Sequence, residues 1–170
     1  FAFSGELETP IVATIVALSV DNKHKMMECV LENGTIVVDL DENKLSGTPL
    51  NEAFANMMNV GTDETALLQA LYKEYLAAPS EEERKLVEAK YDSVLEIYTA
   101  KELVALENVF AENGDNVLGA YAFYQLVKSQ RDAGTITSVQ VDSILATAAP
   151  VVKNFSLIAK ELESMRNLEK

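Results

Sequence analysis

The sequence predicts an α+β protein: an N-terminal antiparallel β-sheet fragment of four or five strands, followed by an all-α bundle of five or six helices. Three observations carry this. Up to about Leu40 the chain alternates with period two and is rich in β-branched residues. Asn33-Gly34 sits between two such runs. After Gly47 the apolar residues recur every three or four positions instead. The change of period divides the chain into a β subdomain over residues 1–47 and a helical subdomain over 48–170.

FAFSG, PIVATIVALSV, KMMECVLE and TIVVDL read as strands in that order. Asn-Gly favours a two-residue hairpin because a type I′ turn needs positive φ at both central positions. Placing Glu32 opposite Thr35 pairs Leu31 with Ile36, Val30 with Val37, Cys29 with Val38, Glu28 with Asp39 and Met27 with Leu40. One face is then wholly apolar, and a one-residue slip would destroy the separation. The expectation is a β-hairpin across Asn33-Gly34.

Thr48-Pro49 opens the first helix, with the cap before proline at the first helical position, and Leu50, Phe54, Met57 and Met58 form its stripe. Gly61 ends it. A second helix starts at Thr62 or Asp63, carries Leu67, Leu68, Leu71, Tyr75 and Leu76, and stops at Ala78-Pro79. Ser80 to Glu83 has the form of a capping box. The long helix behind it presents Val87, Tyr91, Val94 and Tyr98, continuing through Leu106 and Phe110 to Asn113-Gly114. NVLGAYAFYQLV is apolar nearly all round, which marks a buried central helix closed by Gly134. VQVDSILATA and PVVKNFSLIAKELESMRNL complete the bundle, the latter with Val151, Phe155, Ile158, Leu162 and Met165 as one seam.

Composition narrows the function. The 170 residues are long enough to bury roughly 70% of the surface of the unfolded chain. Hydrophobic residues make up 48% and charged residues 24%, which suits a folded globular protein. The net charge is −13, from 27 acidic against 14 basic residues, and no basic stripe is present to neutralise phosphates. Nucleic acid and anionic membrane surfaces are therefore poor partners. The longest apolar run, Ile11 to Leu18, is far shorter than the ~20 residues of a spanning helix. The sequence starts at Phe1, inside a strand, which reads as a cut with the opening strands of the sheet upstream.

No residue qualifies as catalytic, cofactor-binding or metal-binding. Cys29 is the sole cysteine, so an internal disulfide or Cys-x-x-Cys pair is excluded. Its neighbours are apolar or acidic, which keeps a thiol protonated and inert. Asp39-Leu-Asp41-Glu-Asn43 resembles the first half of a calcium loop, but Lys44 stands where the turn needs glycine and Leu50 where the bidentate glutamate belongs. A solvated acidic face is the better reading. His24, the only histidine, lies in a charged stretch and reads as a surface residue. Tyrosines 72, 75, 91, 98, 121 and 124 fall at helical spacing and read as packing.

LENGTIVVDL from Leu31 and LSGTPLN from Leu45, with ENVFAENGDNVLGAY from Glu107 and SILATAAPVVKN from Ser143, carry a resemblance that spans most of the chain. They resemble the N-terminal accessory domain, of unknown function, of Bacteroides-type envelope thiol-disulfide oxidoreductases in the alkyl hydroperoxide reductase/thiol-specific antioxidant family. In that family a β domain and a helical segment precede a thioredoxin-like domain. The resemblance implies a non-catalytic region that positions the redox domain or mediates partner or dimer contacts, in the periplasm or lipoprotein-anchored in the envelope. It implies no catalytic residue and no cofactor here, because the family's Cys-x-x-Cys lies in the thioredoxin-like domain, beyond Lys170. The alternative is a free-standing helical binding module for a peptide or apolar ligand, whose mark would be an exposed apolar patch.

Overall fold

The computed structural model describes residues 2, 4–18 and 24–169. Strands occupy the N-terminal third and helices the rest, and the change falls at Gly47-Thr48. Strands β1 (Ile11–Leu18) and β2 (His24–Leu31) form one antiparallel pair, and β3 (Val37–Asp39) and β4 (Lys44–Ser46) form another. The helices are α1 (Pro49–Met58), α2 (Thr62–Ala77), α3 (Glu81–Asn113), α4 (Val117–Asp132), α5 (Ser138–Thr147), α6 (Pro150–Lys153) and α7 (Ser156–Leu168). The C-terminal segment read as one helix breaks at Asn154-Phe155 after a single turn, Phe155 taking an extended ψ of 115°.

Strand pairing departs from the sequence reading. β2 pairs with β1, Ile11 opposite Leu31 through Leu18 opposite His24, and β3 takes β4 as its partner. The apolar row Met27, Cys29, Leu31 is satisfied equally by Ile15, Ala13 and Ile11. That ladder is eight residues long, whereas β3 offers three, so the longer pairing wins. Asn33 is used elsewhere: its amide donates to the Leu7 carbonyl at 3.1 Å and accepts from the Leu7 N–H at 3.4 Å. Gly34 adopts φ 143°, outside the range of a type I′ turn. The tight turn lies between β3 and β4 instead, where Asn43 adopts φ 54° and the Asp39 carboxylate accepts the Asp41 and Glu42 N–H groups. β4 was not legible as a strand. Of FAFSG, Phe1 and Phe3 lie outside the described residues, and Ser4 and Gly5 are not in a strand.

The chain divides into two compact units, Phe1–Met58 with Leu106–Lys170, and Asn59–Ala105. In the first, α4 is central: Val117 through Phe123, with Leu126 and Val127, are all buried. Asn116 caps it, accepting from the Leu118 and Gly119 N–H groups. The cluster Ala120, Phe123, Val127, Val141, Val152, Ile158, Leu162 and Met165 joins α4 to α5, α6 and α7. Phe110 stacks on Phe123 with centroids 4.8 Å apart. Phe54 of α1 meets Tyr121 at 5.4 Å. The buried face of α1 is Asn51, Phe54 and Met57. Met58, placed in the stripe by periodicity, is 56% exposed.

In the second unit α2 and the N-terminal part of α3 form a hairpin turned at Ala78-Pro79. Ser80 accepts from the Glu83 N–H at 3.2 Å, as its capping position implies. Gly61 adopts φ 72°, and a Cβ there would fall 2.5 Å from the Tyr98 ring. Lys101 bonds Glu64 at 2.7 Å and holds that carboxyl below its ordinary value. Leu71, Ala78 and Val87 are buried in this unit, while Leu67, Tyr72, Leu76, Leu86, Ile97 and Val104 stand about half exposed or more.

Candidate functional site

The structure treats each sequence candidate differently. Cys29 is fully buried in β2, and desolvation pushes its thiol above the ordinary value. A thiolate, the reactive form, is thereby suppressed. Native protein is expected to resist thiol reagents and to react once denaturant opens the sheet, a difference that a chromogenic disulfide reagent reads directly. His24 is the exposed first residue of β2. The acidic stretch from Asp39 to Asn43 runs from the last residue of β3 through the β3–β4 turn, with Asp41 ion-paired to Lys25 and Glu42 to Lys44. The Asp39 carboxyl is held below its ordinary value by the two backbone amides it accepts. No group of three or more His, Cys, Asp or Glu side chains able to hold a metal occurs among the described residues.

Glu28 faces Thr14 across the ladder rather than Asp39. Its carboxylate accepts the Tyr121 hydroxyl at 2.6 Å, and Gln125 donates to the same hydroxyl at 2.6 Å. This triad ties the sheet to α4. Burial first, then the Glu28 carboxylate, raises the Tyr121 hydroxyl well above the ordinary tyrosine value of 10.0. The folded state therefore binds this proton more tightly than the unfolded chain. Its contribution is complete below about pH 10 and declines as pH rises beyond it. Absorbance titration is expected to show Tyr121 ionising only with unfolding. Tyr121→Phe is expected to lower stability by about 2 kcal/mol, the scale of a hydrogen bond to a charged partner, as read by urea denaturation.

A second polar junction joins β2 to α1. Asn51, fully buried, accepts from the Val30 N–H at 2.9 Å and donates to the Val30 carbonyl at 2.6 Å and to Thr48 Oγ1 at 2.8 Å. Glu32 accepts the Leu50 N–H at 3.0 Å at the start of α1, where the helix dipole favours a carboxylate. These groups satisfy one another, so the junction is structural. The clamps around α5 and α7 are of the same kind: Thr137 and Gln140 form a capping box, and the Ser138 N–H donates to Glu169 at 2.8 Å. Glu169 is held below its ordinary carboxyl value by Ser138.

A feature with room for a partner lies within the Asn59–Ala105 unit. An open groove of about 590 Å³ runs between α2 and α3, lined by Leu67, Leu71, Leu86, Ala89 and Val94 with Ser93 and Lys90. Each of two apolar rows on α3 contributes a residue to it, Val94 from one and Leu86 from the other. Val87, Tyr91, Val94 and Tyr98 repeat at helical spacing on one side, and Leu86, Ile97 and Val104 lie on a neighbouring stripe, with spacings of eleven and seven residues. Sequence periodicity revealed the first row and missed the second, whose signal is the recurrence of Leu86, Ile97 and Val104 at i, i+11 and i+18. No helix of the described residues is long and apolar enough to cross a membrane. No family model, no curated protein and no solved structure matches the chain.

Proposed function

We propose that the chain is a non-catalytic accessory region of an envelope thiol-disulfide oxidoreductase, periplasmic or lipoprotein-anchored, which positions a thioredoxin-like redox domain through the α2–α3 groove. The observation that carries the reading is the groove itself: half-exposed Leu67 and Leu86 flank an apolar trough of ligand-accommodating size. The motifs behind the family resemblance support it by doing structural work. LENG supplies the amide that holds Leu7, SGTPLN supplies Gly47 and Asn51, and ENGDNVLG supplies the close contact of α3 with α4. The sealed Cys29 agrees with redox chemistry being carried by another domain. The second reading, a free-standing module for an apolar peptide, uses the same groove.

The test begins with the coding sequence downstream of Lys170. A Cys-x-x-Cys in a β-α-β context supplies the redox domain, which is expressed separately and titrated into isotope-labelled chain. Amide shifts centred on Leu67, Leu86 and Val94 are expected, with Leu86→Glu weakening binding about tenfold or more, as for a central interface anchor. A frame without such a domain, or one whose domain leaves these amides unmoved, would overturn the redox reading. Shifts with apolar peptides alone would then favour the second.

A further inference from the structure

We propose that β1 is a pairing edge through which two copies of this chain join, β1 antiparallel to β1, into a four-stranded sheet of order β2-β1-β1-β2. The inference is independent of the redox reading. Within the described residues β1 has one strand neighbour, β2. The direction of its free groups follows from Asn51. Both the N–H and the carbonyl of Val30 are taken by that side chain, so Val30 and its partner Val12 form a pair whose backbone groups point away from each other. By the two-residue period, Val12, Thr14 and Val16 present N–H and carbonyl at the open edge of β1.

Chemistry selects a second copy as the occupant. IVATIVAL has no charged residue and no proline, and Ile11, Val12, Thr14, Ile15 and Val16 are all β-branched. Uncharged edges of this kind lack the devices that block pairing. Two chains of net charge −13 repel over most of their surfaces. The strand itself carries no carboxylate to appose, and Glu28, paired with Thr14 across the ladder, is engaged by Tyr121. A two-fold axis at Thr14 sets Thr14 against Thr14 and Val12 against Val16, pairs that suit a ladder. Val16 is 50% exposed and Ile11 44%, so apolar surface is there to be covered. β2 is the worse edge: Asn51 occupies Val30, and Lys25 and Glu28 lie along the strand.

Sedimentation velocity over the micromolar range is expected to show a reversible species of twice 18.6 kDa. Thr14→Pro removes an outward N–H that the β1–β2 ladder does not use, so it is expected to abolish the dimer while leaving the circular dichroism spectrum intact. Hydrogen exchange on the unsubstituted chain gives the second measurement. Protection of the Val12, Thr14 and Val16 amides is expected to rise with concentration in step with the dimer. A strictly monomeric chain, a dimer that survives in folded Thr14→Pro, or outward amides already protected in dilute monomer would each overturn the proposal, the last by showing that another part of the chain covers the edge. Should Thr14→Pro fail to fold, the exchange measurement decides alone.

Discussion

Gly119→Ala is expected to destabilise the protein by about 3 kcal/mol, the upper end of what an overpacked site costs. Helix propensity alone predicts the opposite sign, because alanine in a helix interior is worth about 1 kcal/mol over glycine. Packing decides. A Cβ at Gly119 would stand 2.0 Å from the Asn113 carbonyl oxygen, 2.4 Å from its carbon and 2.9 Å from the Gly114 nitrogen. All three atoms are backbone, so no rotamer change relieves the clash. The same carbonyl accepts the Asn116 N–H at 3.0 Å, and Asn116 caps α4. Moving it would therefore unseat the start of the central helix. The control is Gly134→Ala, where φ is 67° and nothing lies within 4 Å. Only the left-handed backbone penalty of about 1 kcal/mol applies there. Urea denaturation of both variants measures the difference.

The second large effect is expected at Asn51. Asn51→Ala leaves the Val30 N–H and carbonyl and the Thr48 hydroxyl without a shared partner in a buried place. At roughly 1 to 3 kcal/mol for each unsatisfied group, softened by relaxation, the loss is expected to be about 3 kcal/mol. Asn51→Asp separates the contributions. Its carboxylate still accepts from Val30 N–H but no longer donates to the Val30 carbonyl or to Thr48, and it places a charge where none is paired. It is expected to cost at least as much as alanine at neutral pH and to recover as the pH falls and the carboxyl is protonated. A loss that does not change with pH would mean that the carboxylate charge adds nothing to the cost of the lost donated bonds.

These two residues also show where sequence reading reached its limit. The α+β class, the strand-to-helix change at Gly47-Thr48 and the buried character of α4 followed from period and composition, because burial of a face leaves a period in the chain. Strand partnership left no such trace. The apolar row of β2 fits β1 and β3 alike, and ladder length, a property of the folded molecule, chose between them. The sequence leaves the burial of Asn51 unmarked, because a side-chain amide does not announce the strand edge it will meet. Its three-residue spacing from Phe54 was the available signal. Gly119 sits in an apolar helical run where only the close passage of another backbone explains it. The α2–α3 groove was legible in part, since Leu67, Leu71 and Val94 were assigned to helix stripes, while Leu86 and Ser93 were not.

The sealed thiol in β2 has a use that owes nothing to redox chemistry. Because Cys29 is the sole cysteine and fully buried, it reacts only from states in which β2 has opened. When reclosing outpaces reagent attack, the labelling rate is the rate of a free thiol scaled by the opening equilibrium, just as amide exchange is scaled by local unfolding. The ratio of the two rates is the opening equilibrium constant, and its logarithm gives the opening free energy at one known residue. Urea dependence then separates local fraying from global unfolding. The native chain thus carries its own single-site gauge of how firmly the sheet is shut.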